Sequence, residues 1–172
     1  MVIQNNHHIG WLSAPFLHFH ELKGGDKVHD RQEYYAQLSF QSIEKYPQYA
    51  KNYHDVSLYY YAYKKDQETA LEFAQKAVQL EPQSIEYRLT TSYRLRDLNR
   101  FQEAITVLEP VLTEVNDERA LMATGFYYYK LQNYTKSLEI YQRINQNSPQ
   151  QEKITGMIQE LNELIKTGRR NN

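Results

Sequence analysis

ERALMATGFYYYKLQNYTKSLEIYQRINQNSPQQ, residues 118–151, decides how the chain is read, because two earlier stretches echo it. Its anchor is Ser137. Ala104 stands 33 residues earlier, and Ala70 a further 34 before that. The surroundings keep the same step. One position on come Leu71, Ile105 and Leu138. Seven positions on come Ala77, Val111 and Ile144, and nine positions back come Tyr61, Leu95 and Tyr128. Pro82 and Pro149 close two of the copies, and Asn116 takes that place in the middle one. A unit of this length cannot bury its apolar face alone, so the copies must stack on one another.

Each copy reads as two helices. The spacing predicts Gln48–Lys64 with Gln67–Leu80, Ser84–Leu98 with Arg100–Val115, and Asp117–Leu131 with Tyr134–Asn147. The joints are short and polar (Lys65-Asp66, Asn99, Gln132-Asn133), which makes the partners antiparallel. Ser84 and Asn116 are the expected N-caps. Upstream, Asp30–Tyr46 reads as a helix with an apolar face of Tyr34, Leu38 and Ile43 beside Tyr35 and Phe40, ended by Pro47. Ala36, 34 residues before Ala70, makes it the second half of a partial repeat. Trp11–Leu22 is expected to form a short aromatic helix over the end of the stack. Downstream, Ser148-Pro149-Gln150-Gln151 reads as a capping box. Ile154, Met157, Ile158, Leu161, Leu164 and Ile165 follow at helical steps and form the face of a lid. The rival reading of that face is a docking site for another chain. The expected organisation is a segment with a partial repeat over 1–47, three repeats over 48–151 (51–84, 85–117, 118–151), a capping helix over 149–167 and a disordered tail over 168–172.

The totals narrow the function. Lys plus Arg is 20 and Asp plus Glu 21, a net charge of -1, which argues against nucleic acid or an anionic membrane as the main partner. Cysteine is absent, so disulfides and cysteine-ligated metals are excluded. The N-terminus lacks a secretory signal, and no stretch has the roughly 20 apolar residues a membrane span needs. A complete chain is therefore expected to be cytoplasmic, without membrane insertion. A piece of a longer protein would leave the location open.

Residues 51–151 resemble three tetratricopeptide repeats. Gly125, Tyr128, Tyr134, Ser137, Tyr141 and Pro149 match the family's glycine, tyrosine, aromatic, alanine, aromatic and proline. The first copy matches through Tyr61, Ala70, Ala77 and Pro82 and departs at Leu58 and Gln67. The second has Ser92, Phe101 and Ala104, with Leu95 in place of tyrosine. The resemblance implies an all-α fold, a right-handed α-solenoid of antiparallel helix pairs, acting as a protein-interaction module whose first helices line a concave groove. It also implies that Tyr61 and Tyr128 are core residues, and that Tyr59, Tyr93 and Phe126 face the groove as an aromatic ladder. That ladder either contacts a partner or packs between repeats or against the N-terminal segment. Asn52, Asp55, Leu89, Arg96, Met122 and Lys130 are the other groove candidates in the set, with Glu86 and Arg119 beside them. Asp55, Leu89 and Met122 stand where the family's carboxylate clamp would need lysine, so no such clamp and no docking of heat-shock chaperone tails is expected.

The remaining motifs have ordinary explanations. Arg88, Arg94, Arg96 and Arg100 read as a solvated face paired with acids, or as a reader of an acidic or phosphorylated segment. The histidines His7, His8, His18, His20, His29 and His54 lack ligand spacing. With no catalytic motif, the expectation is a non-catalytic adaptor, scaffold or chaperone-like module without cofactor or metal. It would hold a protein or peptide segment in an aromatic-lined groove, which suits a segment with apolar anchors. The rivals are a structural or self-associating piece of a larger assembly, and a regulatory domain of an enzyme such as a glycosyltransferase.

Overall fold

A computed structural model describes residues 25–144 and 148–170 of the chain. The described residues form eight α-helices and no strand: α1 Gly25–Lys45, α2 Ala50–Tyr59, α3 Gln67–Leu80, α4 Ile85–Asp97, α5 Phe101–Glu114, α6 Glu118–Lys130, α7 Tyr134–Gln142 and α8 Gln151–Arg170. The expected aromatic helix at 11–22 lies outside the described residues. The last helix continues to Arg170, three residues beyond its expected end and into the stretch expected to be a disordered tail. The chain divides into two compact units, Met1–Tyr87 and Arg88–Asn172.

The three small residues that set the repeat are fully buried, Ala70, Ala104 and Ser137 each at 0% exposure. Such residues let two helices approach closely. In the first unit Ser57 Oγ on α2 donates to the Ala70 carbonyl at 2.7 Å. In the second, Ser137 Oγ on α7 donates to the Gly125 carbonyl at 2.7 Å. Both bonds tie a helix to its partner at the crossing, one from each side.

The joints repeat as well. Lys65, Asn99 and Gln132 adopt left-handed backbone angles (φ 56°, 59° and 59°), at the same 34- and 33-residue steps. After two of them the chain closes in the same way, Arg100 N–H donating to the Leu95 carbonyl at 2.8 Å and Asn133 N–H to the Tyr128 carbonyl at 2.9 Å. This is the six-to-one bond of a Schellman ending. In the first copy Asp66 N–H reaches one residue further, to the Tyr60 carbonyl at 3.2 Å. The helix there widens into an i→i+5 turn over Tyr60–Lys64.

In the first unit α1 lies against α2. Its buried face is Gln32, Ala36 and Ser39, whereas Tyr34, expected on the apolar face, is 58% exposed. Tyr35, Phe40, Leu58, Tyr60 and Tyr63 gather around Ala36 and Tyr59. Phe73 of α3 stacks on Tyr60 at 5.6 Å and meets Phe40 edge-on at 5.9 Å.

In the second unit side chains fix the starts of α6, α7 and α8. Asp117, one residue after the expected Asn116, caps α6 by accepting from the Arg119 and Ala120 amides. Asn116 Oδ1 accepts instead from Arg143 Nη2 at 3.0 Å. Asn133 caps α7. Ser148 Oγ accepts from the Gln150 amide at 3.0 Å, but Gln151 turns to Thr155 (Nε2 to Oγ1, 3.4 Å), so the reciprocal half of the expected capping box is not made. Ile154 and Leu161, at 1% and 0% exposure, anchor α8.

Candidate functional site

The second unit holds an open groove of about 610 Å³ lined by α4, α6 and α8 with Tyr141 of α7. The joint between α6 and α7 is short, and α8 runs in the same direction as α6. Two hydrogen bonds fix their register. Ser148 Oγ donates to Glu118 Oε1 at 2.6 Å, and Tyr129 Oη donates to Glu160 Oε1 at 2.8 Å. Residue numbers across the pair therefore differ by 30 at one end and 31 at the other.

Three stripes face this space. On α4 they are Tyr93 and Arg96; on α6 Arg119, Met122, Ala123 and Phe126; on α8 Lys153, Met157 and Glu160. Helical spacing of three and four puts each set on one side of its helix. Phe126 is held edge-on by Phe101 at 6.5 Å and by Tyr127 at 6.1 Å. The Lys130 ammonium sits 5.8 Å from the Phe126 ring centre, and the Arg96 guanidinium 5.2 Å from that of Tyr93. Such cation–ring contacts hold the rings while leaving part of each face open. Arg96 pairs with Asp97 at 2.7 Å and Arg119 with Asp117 at 3.1 Å. In both pairs the acid is the less exposed partner, 17% against 39% and 16% against 57%, so the guanidinium is presented outward.

The phenols are donors rather than bases. Burial pushes Tyr127 up to about 12, outweighing its contact with Ser92 Oγ at 3.3 Å, which acts the other way. Burial, reinforced by the Glu160 charge, pushes Tyr141 up to about 12. The hydrogen bond to Glu160, then that carboxylate's charge, raises Tyr129. An apolar floor, protonated hydroxyls and outward cations can hold a ligand. Among the described residues no cluster of histidine, cysteine or carboxylate could hold a metal ion, and no helix is long and apolar enough to cross a membrane.

The structure brings together Tyr93, Arg96, Met122 and Phe126 of the residues singled out in sequence, with Lys130 adjoining them through Phe126. Arg119, named beside that set, also lines the groove. Leu89 is buried at 2% exposure. Asn52, Asp55 and Tyr59 belong to the first unit and are buried at 0%, 1% and 3%. Asn52 Nδ2 donates to Ser42 Oγ at 2.7 Å, and Asp55 accepts from Lys51 Nζ at 2.8 and 3.0 Å. Tyr59 stacks on Tyr63 at 6.0 Å beneath α1 and forms core rather than an open wall. Tyr61 and Tyr128, expected as core, are half-buried; in their runs the buried tyrosines are Tyr59 and Tyr127. Sequence reading missed Lys153 and Glu160 and read Met157 only as part of the lid face or its rival docking face; the three straddle the border between the two faces of α8. Their spacing of four and three was the available signal.

These observations define a class, an all-helical repeat protein built from paired helices. Its structure is similar to that of MamA, a helical repeat of TPR-like fold. One MamA crystal structure superposes with a TM-score of 0.63 at 14% identity, covering 87% of this chain and 98% of that one. MamA 41-end from Desulfovibrio magneticus RS-1 gives 0.61 at 15% identity, covering 82% and 93%. A point mutant of MamA gives 0.54 at 20% identity, and the match spans 64% of each chain. At these identities the likeness establishes the fold alone. No protein-family model matches the sequence, and no curated protein matches it.

Proposed function

We propose that the chain is a non-catalytic protein-interaction module, and that the groove between α4, α6 and α8 holds a segment of a partner protein. The observation that carries this reading is the groove itself: about 610 Å³ walled by aromatic rings and two methionines under outward-facing cations. Large rings with polar tips and adaptable methionines are the side chains that dominate protein recognition. No nucleophile with an adjacent base lines the space. The fold shared with MamA is consistent with an interaction module, although a fold alone fixes no activity.

The test is a peptide array probed with the full chain and with Phe126→Ala. Helical content by circular dichroism serves as the control for folding. A central ring in the contact should cost roughly tenfold or more in affinity. Unchanged binding by a folded Phe126→Ala protein would refute the reading.

A further inference from the structure

We infer that the groove accepts the side-chain amide of an asparagine or glutamine in the bound segment, its oxygen taking a hydrogen bond from Tyr141 Oη and its NH2 group giving one to Glu160. The inference rests on the interaction reading above and gives its partner a chemistry. Tyr141 is 2% exposed, yet its hydroxyl has no hydrogen-bond partner among the described residues. Nor does that oxygen belong with the sealed, unpaired polar atoms of the described chain, so it opens on the groove that its residue lines. Packing does not require it, because the equivalent residues Ala74 and Leu108 are apolar and just as deeply buried. The great majority of buried polar side chains in folded proteins are paired. A donor that the fold leaves unused at the floor of a groove is therefore placed for a ligand.

Glu160 supplies the other half. Its Oε1 accepts from Tyr129 Oη at 2.8 Å, and no described residue bonds its second oxygen. Glu160 is also the charged group whose field acts on the Tyr141 hydroxyl, so the two stand near one another in the groove. Together they offer one donor and one acceptor, and a carboxamide carries the complement of each. A carboxylate would accept from Tyr141 but would meet the Glu160 charge. The cations Arg96 and Lys130 are already engaged, by Asp97 and by the Phe126 ring. An ammonium or guanidinium would pair with Glu160 but would enter a space that already presents Arg96, Arg119 and Lys153. Tyr141 belongs to α7, which packs against both α6 and α8. A hydroxyl set behind those two helices is met by an inserted side chain rather than by a main chain lying across their outer faces. Met122, Phe126 and Met157 line the same space and take an apolar neighbour of the amide.

The experiment is a selection of random displayed peptides on immobilised full-length chain, in parallel for wild type, Tyr141→Phe, Glu160→Ala and Phe126→Ala. Wild type should enrich Asn or Gln at one fixed position relative to a large apolar residue. A synthetic peptide of that consensus should bind Tyr141→Phe about fivefold more weakly or worse, with no loss of stability in urea, because the ring against Gly125 is kept. The same peptide with leucine in place of its amide residue should bind wild type and Tyr141→Phe alike, and that coupling separates a lost hydrogen bond from an altered fold. Glu160→Ala, at an exposed position, should likewise weaken the amide peptide and spare the leucine peptide. Enriched peptides lacking the amide, peptides with an acid or a base in its place, or an amide peptide that binds either variant as tightly as wild type would overturn the inference, while Phe126 dependence would keep the groove reading standing. Absence of enrichment, or enrichment indifferent to Phe126→Ala, would sink both.

Discussion

Two glycines in mid-helix should respond in opposite ways to the same substitution. Gly156, in α8, is exposed, and an added Cβ would meet nothing within 4 Å. Alanine there gains helix propensity of about 1 kcal/mol. Gly125, in α6, is buried, and a Cβ would lie 2.8 Å from Cε2 and Cζ of Tyr141. That is well inside van der Waals contact, and Tyr141 at 2% exposure has no room to swing away. Overpacking of this kind costs about 1–3 kcal/mol, against the same propensity gain of about 1. Gly125→Ala should therefore be destabilising by up to about 2 kcal/mol, with Gly156→Ala stabilising by about 1. The assay is urea unfolding followed by circular dichroism, adding Tyr141→Leu and the double variant. Tyr141→Leu removes ring carbons that the new methyl group can replace, so the double variant should be more stable than the sum of the singles by about 1 kcal/mol. Additive changes, or a stabilising Gly125→Ala, would refute the claim that glycine is required there for the approach of α7.

Lys65→Gly and Gln132→Gly should each stabilise the fold by roughly 0.5–1 kcal/mol in the same assay, because a left-handed conformation costs a residue with a Cβ about 1–2 kcal/mol, partly offset by glycine's greater unfolded entropy. The matching change at Asn99 should gain less, since asparagine tolerates this region. Absorbance titration of the phenols should show that Tyr87, Tyr127 and Tyr141, all pushed up to about 12 chiefly by burial, stay protonated at pH 11 in the folded chain. Because the folded-state pKa lies above the unfolded value of 10.0, the stability tied to each protonated phenol is fully present below pH 10 and is lost as pH climbs from 10 toward 12. A single transition near pH 10 for all 16 tyrosines, with helicity retained, would contradict their burial.

The fold was legible because its signal is distributed. Ala70, Ala104 and Ser137 repeat with their neighbours, and every one is buried. The joints obey the same period, although Lys65 and Gln132 are not residues whose chemistry announces a left-handed turn. Where reading failed, the deciding contact came from outside the repeat. Tyr59 is equivalent in sequence to Tyr93 and Phe126, but α1 covers it. Asn116 and Asp117 are both good caps, and only the backbone path decides for Asp117. The α8 wall was missed because Lys153 and Glu160 look like ordinary solvated charges until α6 is placed beside them.

The repeats themselves explain why a site could open in the second unit at all. Residues equivalent to Gly125 are Leu58 and Ser92, and those equivalent to Tyr141 are Ala74 and Leu108. As the first-helix residue shrinks from leucine to serine to glycine, its counterpart grows from alanine to leucine to tyrosine. Ala74, Leu108 and Tyr141 are all buried, at 1%, 0% and 2%. Bulk is thus exchanged across the crossing, as close packing demands. In the third copy this puts a whole phenol beneath α6, where it forms part of the groove lining. The terminal helices then determine what each copy does with its outer face. α1 lays Tyr35, Phe40 and Ala36 against Tyr59 and closes it. α8 is anchored by Ile154 and Leu161 and bonded to α6 at both ends of their shared length, yet it leaves the space between them open. The repeats supply the rings, and the helix that ends them makes a groove from those rings.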